Sequence, residues 1–395
     1  MAASGGSSAN TASSTGGIPS SLGSTSSGLD SSSSSSGRSG STGSGGTSVA
    51  SGSGGSGSGG IVSSSFATSG PQDAGMGCVP QPVPLSTIPV DMYVMMDQSG
   101  SMVDLSQGGL SKWDAAKAAL NAFVQTPPAS LRVGLQFHAL PPAGVMCPVS
   151  CVVDADCGAC GPCFFNICAG FGGQDSCDPG DYDTPEAAVL PVPANAASIS
   201  ASLDIHAPST GSAPSGALEG AINHGLTLAQ QDPDRAVVDV LVVDGEPGAC
   251  ITDAATLAQT AYTGTNATHA VHSHVLAIME QPAFWAPVAA AGDGLLLAAP
   301  PSNNVAANAL AAFQRVVTRE RACAHLLPTG DAGTVDAQAF QVTLQNQTLP
   351  WVPGRIFCNG SGWYLAGVRT LRLCPTSCDA AESSGETPVA TLPCP

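Results

Sequence analysis

Apolar residues gather into four runs, Val90 to Met96, Leu131 to Phe137, Val237 to Val243 and Val271 to Met279, separated by stretches with helix-like spacing. Runs this short and this apolar predict strands buried on both faces. Strands alternating with helices predict an α/β fold with a doubly wound, mostly parallel sheet flanked by helices. The clearest helix opens at Ser111, a capping serine. Trp113, Ala116, Leu120, Phe123 and Val124 then recur on one face that can cover the sheet. Trp113 and Phe123 are read as core. Farther on, Val342 to Leu344 and Thr370 to Leu373 alternate as strands do, which predicts a small β-rich extension on a sheet edge or a helix.

In an open α/β sheet, ligands bind in the crevice beyond the carboxyl ends of the strands. Two aspartates fall there. Asp97-Gln98-Ser99-Gly100-Ser101 follows the first run, and Asp244-Gly245-Glu246-Pro247 follows Val240 to Val243. A carboxylate and two hydroxyls on one turn are hard oxygen donors suited to Mg²⁺, Mn²⁺ or Ca²⁺, whereas zinc and copper prefer softer ligands. Taken alone, Ser-Gly-Ser after an aspartate is equally an ordinary turn. A third oxygen source is the turn Ser209 to Ser215, ahead of a helix starting near Gly216.

Together these residues resemble a von Willebrand factor type A (VWA) domain with its metal-ion-dependent adhesion site, over roughly residues 88 to 320. The features that carry the likeness are Asp97-x-Ser99-x-Ser101, the Ser/Thr-rich loop before Ala217-Leu218-Glu219-Gly220-Ala221, and the strand end at Asp244. The resemblance implies a Rossmann-like sheet and Mg²⁺ (or Mn²⁺ or Ca²⁺) held by Asp97, Ser99, Ser101, Ser212 and Asp244, in part through water. A carboxylate from a protein partner would complete the octahedron. Ser212 takes the place of the family's loop threonine when the sequence is counted back from Ala217-Leu218 without a gap. A one-residue deletion would put Ala213 there and leave Thr210 or Ser215 to substitute. On the same reading, replacing Asp97 by Ala is expected to remove metal affinity and leave the fold largely intact.

Composition divides the chain. Residues 1–77 are mostly Ser, Gly, Thr and Ala, and Asp30 and Arg38 are the only charges in the first 60. Such a segment cannot bury enough apolar surface to order itself, so it is expected to be a disordered tether, with 60 residues spanning roughly 45 Å. Residues 88–320 are assigned to the VWA domain, with a Cys-rich insertion over 145–180, and residues 321–395 to a Cys-rich extension. A net charge of −18 leaves no basic stripe for nucleic acid, and neither lysine, Lys112 or Lys117, follows a glycine as a P-loop lysine would. No stretch approaches the roughly 18 apolar residues of a membrane span.

Fourteen cysteines without haem or iron–sulfur spacing point to an oxidising compartment. Cys147, Cys151, Cys157, Cys160, Cys163, Cys168 and Cys177 cluster in the insertion, and disulfides are preferred there over zinc at Cys157-x-x-Cys160-x-x-Cys163. Because seven is odd, one of them is expected to pair outside the insertion, with Cys250 the candidate. The connectivity of Cys323, Cys358, Cys374, Cys378 and Cys394 is left open. His272 and His274, with His269 nearby, are read as packing or surface residues in preference to a zinc site.

The run from Gly362 to Cys378 resembles the tail of secreted bacterial VWA proteins, myxobacterial lipoproteins among them. Met1-Ala2-Ala3-Ser4 lacks the features of a secretory leader, so the expectation is a start upstream, with a lipoprotein signal anchoring the tether. No histidine is placed by motif beside Ser99 as a general base, so no enzyme activity is expected. The expected function is a divalent-cation-dependent, adhesion-type protein-binding module at the bacterial cell surface. The alternative is a structural, envelope-associated protein whose metal site is vestigial.

Overall fold

The computed structural model describes residues 80–140, 150–160, 163–164, 167–168, 175–208, 211–328 and 336–392. The tether, Ser209, Thr210, Cys147 and Cys394 lie outside them. The central sheet has six strands: β1 (Val90–Asp97), β2 (Leu131–His138), β3 (Ala187–Pro191), β4 (Ala236–Val243), β5 (Val271–Ala277) and β6 (Asp293–Ala298). Their spatial order is β6-β5-β4-β1-β2-β3, and every neighbouring pair is parallel except β2 and β3. The four strands legible in the sequence are the four central ones. Both of their faces are covered, as their continuous apolar character requires.

Strand alternation sorts the core into two layers. Met92, Val94 and Met96 of β1 face α1 (Lys112–Gln125), α2 (Ala196–Ile205) and α6 (Val305–Cys323). Tyr93 and Met95 face the other way, towards α3 (Pro214–Gln231), α4 (Ala254–Thr265) and α5 (Ala286–Ala291). The fold is therefore doubly wound, as expected. Ser111 caps α1, its hydroxyl accepting from Asp114 N–H at 2.9 Å, and Trp113, Ala116, Leu120, Phe123 and Val124 are all buried.

Beyond α6 lie two four-stranded sheets and α7 (Pro375–Ser384). One sheet orders Trp363–Ala366, Thr370–Leu373, Ala324–Leu326 and Ser86–Thr87; the other orders Gln81–Val83, Val389–Leu392, Gln341–Leu344 and Gln347–Leu349. Residues 81–87, ahead of the central sheet in sequence, thus add a strand to each. The α7 helix is fixed to α6 by Cys323–Cys378 and by Arg319, which reaches Asp379 at 2.8 Å and Glu382 at 3.0 Å.

A buried ionic cluster joins this extension to the sheet. Glu320 of α6, with no solvent exposure, accepts from Arg372 at 3.0 Å and from His272 Nδ1 at 3.2 Å, and His274 Nε2 lies 3.5 Å away. The two strand histidines are packing residues on this carboxylate. Burial alone would raise the Glu320 carboxyl, yet the Arg372 charge, backed by His272, holds it well below the usual range.

Cys151–Cys163 lies within the insertion, and Cys157 is also disulfide-bonded, so these thiols are not zinc ligands. Cys177 pairs with Cys250, the bond out of the insertion that the odd count called for. Cys358–Cys374 closes the extension. These bonds fit an oxidising, extracellular or secreted setting. Among the described residues, no helix is long and apolar enough to cross a membrane.

Candidate metal centre

The reversal of strand order falls between β1 and β4, and both strands deliver an aspartate at their carboxyl ends. Asp97 closes β1, in register with His138 at the end of β2, and Asp244 follows Val243. The turn after β1 is built by Asp97 itself: its Oδ1 accepts from Ser99 N–H at 2.7 Å, and its Oδ2 accepts from Asp244 N–H at 3.1 Å. A carboxylate bonding two residues ahead is the usual aspartate turn. The second bond crosses 147 residues of sequence and locks the two strand ends together.

Ser99 and Ser101 are thereby turned towards Asp244. Ser99 Oγ lies 3.1 Å and Ser101 Oγ 2.8 Å from Asp244 Oδ1, and the two hydroxyl oxygens are 3.2 Å apart. Neighbouring ligands of an octahedral ion at about 2.1 Å lie about 3.0 Å from one another. The hydroxyls donate to Asp244 Oδ1 at hydrogen-bond lengths that match the edges of an octahedral face, so these residues fit a small hard divalent ion without rearranging. Burial, and then the charge of Asp97, push the Asp244 carboxyl above its ordinary range, against Ser101 and Lys112. A crevice holding two buried carboxylates favours a cation.

Ser212 is placed differently. Its carbonyl accepts from Gly248 N–H at 2.9 Å and Ala249 N–H at 3.0 Å, which ties the middle loop to the loop after Asp244. Among the described residues, no hydrogen bond links its hydroxyl to Asp97, Ser99, Ser101 or Asp244. Four of the five expected ligands are joined by hydrogen bonds, and the fifth is tied by its backbone to the loop that follows Asp244.

Three further side chains at this end of the sheet were not singled out in the sequence. His138 is fully buried, and its Nε2 donates to the Val242 carbonyl at 2.6 Å, 3.8 Å from Asp97 Oδ2. Asp175, two residues before the Cys177–Cys250 bridge, accepts from Gly211 N–H; burial pushes its carboxyl up to about 6, with the Asp97 charge adding to the effect. Lys112 Nζ lies 3.1 Å from Asp244 Oδ2 and 3.3 Å from Asp104 Oδ2. Only Lys112 carried a sequence signal: a lysine is out of place in the first turn of a helix unless a carboxylate faces it.

The class defined by this geometry is a doubly wound, mostly parallel α/β domain with an oxygen cluster at its switch point, consistent with a VWA-like fold. No family model matches the chain, and no curated protein matches it. Among solved structures it is similar to proximal thread matrix protein 1 from the mussel byssus, at 12% identity over 60% of this chain and 48% of that one, with a TM-score of 0.36. It is also similar to the manganese-loaded TRAP protein of Plasmodium vivax, at 11% identity over 75% of this chain and 98% of that one, with a TM-score of 0.35. The chain spans about half the length of the mussel protein it matches.

Proposed function

We propose that the chain is a divalent-cation-dependent, adhesion-type binding module, displayed outside the cytoplasm at a bacterial cell surface, and not an enzyme. The observation that carries this reading is the oxygen triangle of Ser99, Ser101 and Asp244, with edges of 2.8 to 3.2 Å at the strand ends. Asp97, Ser99, Ser101 and Asp244, with Ser212 from the middle loop, would hold Mg²⁺ or Mn²⁺. Bound there, the ion would supply an electrophilic position for a carboxylate of a protein partner. The hydroxyls contribute no formal charge, so the two carboxylates are the only formal charge these residues would bring to the ion. The chain's own contribution is to hold the oxygens in place: Asp97 fixes the turn, and the Ser212 carbonyl fixes the neighbouring loop.

Lys112 on Asp244 favours a second reading, a structural envelope protein in which the ammonium has replaced the ion and the site is vestigial. Metal titration separates the two. Under the first reading, millimolar Mg²⁺ or Mn²⁺ raises the melting temperature above that in EDTA, by the stabilisation that a ligand specific for the native state confers. Capture of acidic-peptide beads should follow the same cation dependence. A melting temperature and capture indifferent to Mg²⁺, Mn²⁺ and EDTA would assign the chain to the second reading.

A further inference from the structure

The two oxygens of Asp244 face different partners. Oδ1 is turned to the serine hydroxyls, while Oδ2 holds the ammonium of Lys112. Lys112 is only 8% exposed and Asp244 6%, so this pair is buried beside the oxygen cluster, which reaches the surface at Ser101. Its other carboxylate, Asp104, is at the surface, with its side chain 64% exposed.

Two features place the lysine there specifically. Lys112 is the first residue of α1, where the positive end of the helix dipole disfavours a cation. The loop between β1 and α1 is also closed on itself: Lys112 N–H donates to the Asp104 carbonyl at 2.9 Å, and Leu105 bridges to Ser111. The segment that presents Ser99 and Ser101 therefore returns its own cation to the same aspartate.

We propose that Lys112 is a tethered competitor for the divalent ion. Its ammonium neutralises Asp244 in the ion-free state and yields when the ion binds, retreating to Asp104 alone. Divalent-cation affinity is thereby set by an internal exchange of one cation for another, and Lys112 becomes the residue that determines it. The inference rests on the reading of the oxygen cluster as a cation site. It separates that site from a vestigial one, in which the lysine would be permanent.

Isothermal titration of the full chain with Mg²⁺, and with Mn²⁺, tests this on the native protein and on Lys112→Gln and Lys112→Arg. Removing a unit positive charge this close to the site should tighten ion binding at least about tenfold in Lys112→Gln, while Lys112→Arg stays near the native value. Equal or weaker binding by Lys112→Gln, with clear binding by the native chain, overturns the exchange and leaves the cation site standing. Silence in both proteins overturns the cation site and the exchange with it. Binding by Lys112→Gln alone supports the exchange in its strongest form.

Asp104→Asn keeps the Lys112–Asp244 pair and so covers the case in which Lys112→Gln does not fold. It should weaken ion binding several-fold in the native background, because the displaced ammonium loses its second partner, and much less in the Lys112→Gln background. No change in the native background contradicts the proposal.

Discussion

Arg372→Met is expected to cost about 3–5 kcal/mol of folding stability. Glu320 has no exposure to water, and Arg372 donates three charged hydrogen bonds to it, at 3.0–3.3 Å. Without the guanidinium, the carboxylate keeps only the two histidines among the described residues, and a buried charge with too few partners bears its full desolvation penalty. The pH dependence should reverse as well. In the native chain the Glu320 pKa is depressed, so its contribution is complete above the usual glutamate range and is lost as pH falls towards the depressed value. In Arg372→Met, burial instead raises that pKa, so the variant should recover part of its loss as pH falls. Pairing Arg372→Met with Glu320→Gln should restore most of the stability, since removing both charges is far less costly than removing one. Urea unfolding at two pH values checks all three outcomes. A loss below about 1 kcal/mol for the single variant would mean that the cluster is water-filled.

Asp97→Ala is expected to abolish the response to Mg²⁺ and also to cost about 2–4 kcal/mol. The sequence alone gives Asp97 a role in the metal site only, with the fold indifferent to its loss. The geometry adds a second role. Its two oxygens satisfy the N–H groups of Ser99 and Asp244, both buried, so truncation orphans two donors and frees the strand ends from each other. Asp97→Asn retains a carbonyl acceptor and should lose less stability while still losing the Mg²⁺ response. Thermal melts of both variants with Mg²⁺ and with EDTA separate the two contributions. Equal stability of Asp97→Ala and the native chain in EDTA would leave the carboxylate no part in the fold.

The parts of this fold that could be read from sequence are those in which local chemistry and burial agree. β1, β2, β4 and β5 are apolar because both faces are covered, and Ser111 caps α1 where a cap is needed. The edge strands did not announce themselves. β3 is largely exposed and ends on Pro191. β6 opens on Asp293-Gly294, with Asp293 at φ 53°, and its register with β5 is irregular. Gln81–Val83 and Ser86–Thr87 are too short to carry a pattern and exist only by pairing with strands more than 200 residues away. The histidines at 272 and 274 were legible as packing residues, but their partner was not, because Glu320 lies 48 residues beyond His272.

The candidate site divides in the same way. Asp97, Ser99, Ser101 and Asp244 sit at strand ends that the apolar runs define, so their convergence follows from topology. Asp175 reaches the crevice from the far end of an insertion, and its place depends on a disulfide that only the odd cysteine count hinted at. Lys112 is delivered by the closure of a loop, which no periodicity encodes.

If Ser99, Ser101 and Asp244 form one face of a cation's coordination shell, anomalous diffraction from a crystal grown with Mn²⁺ will locate the ion against them. The expected result is a manganese peak within about 2.5 Å of both serine hydroxyl oxygens, with the Lys112 ammonium drawn away from Asp244. A crystal that leaves this position free of manganese, with Lys112 still on Asp244 at saturating Mn²⁺, would contradict it.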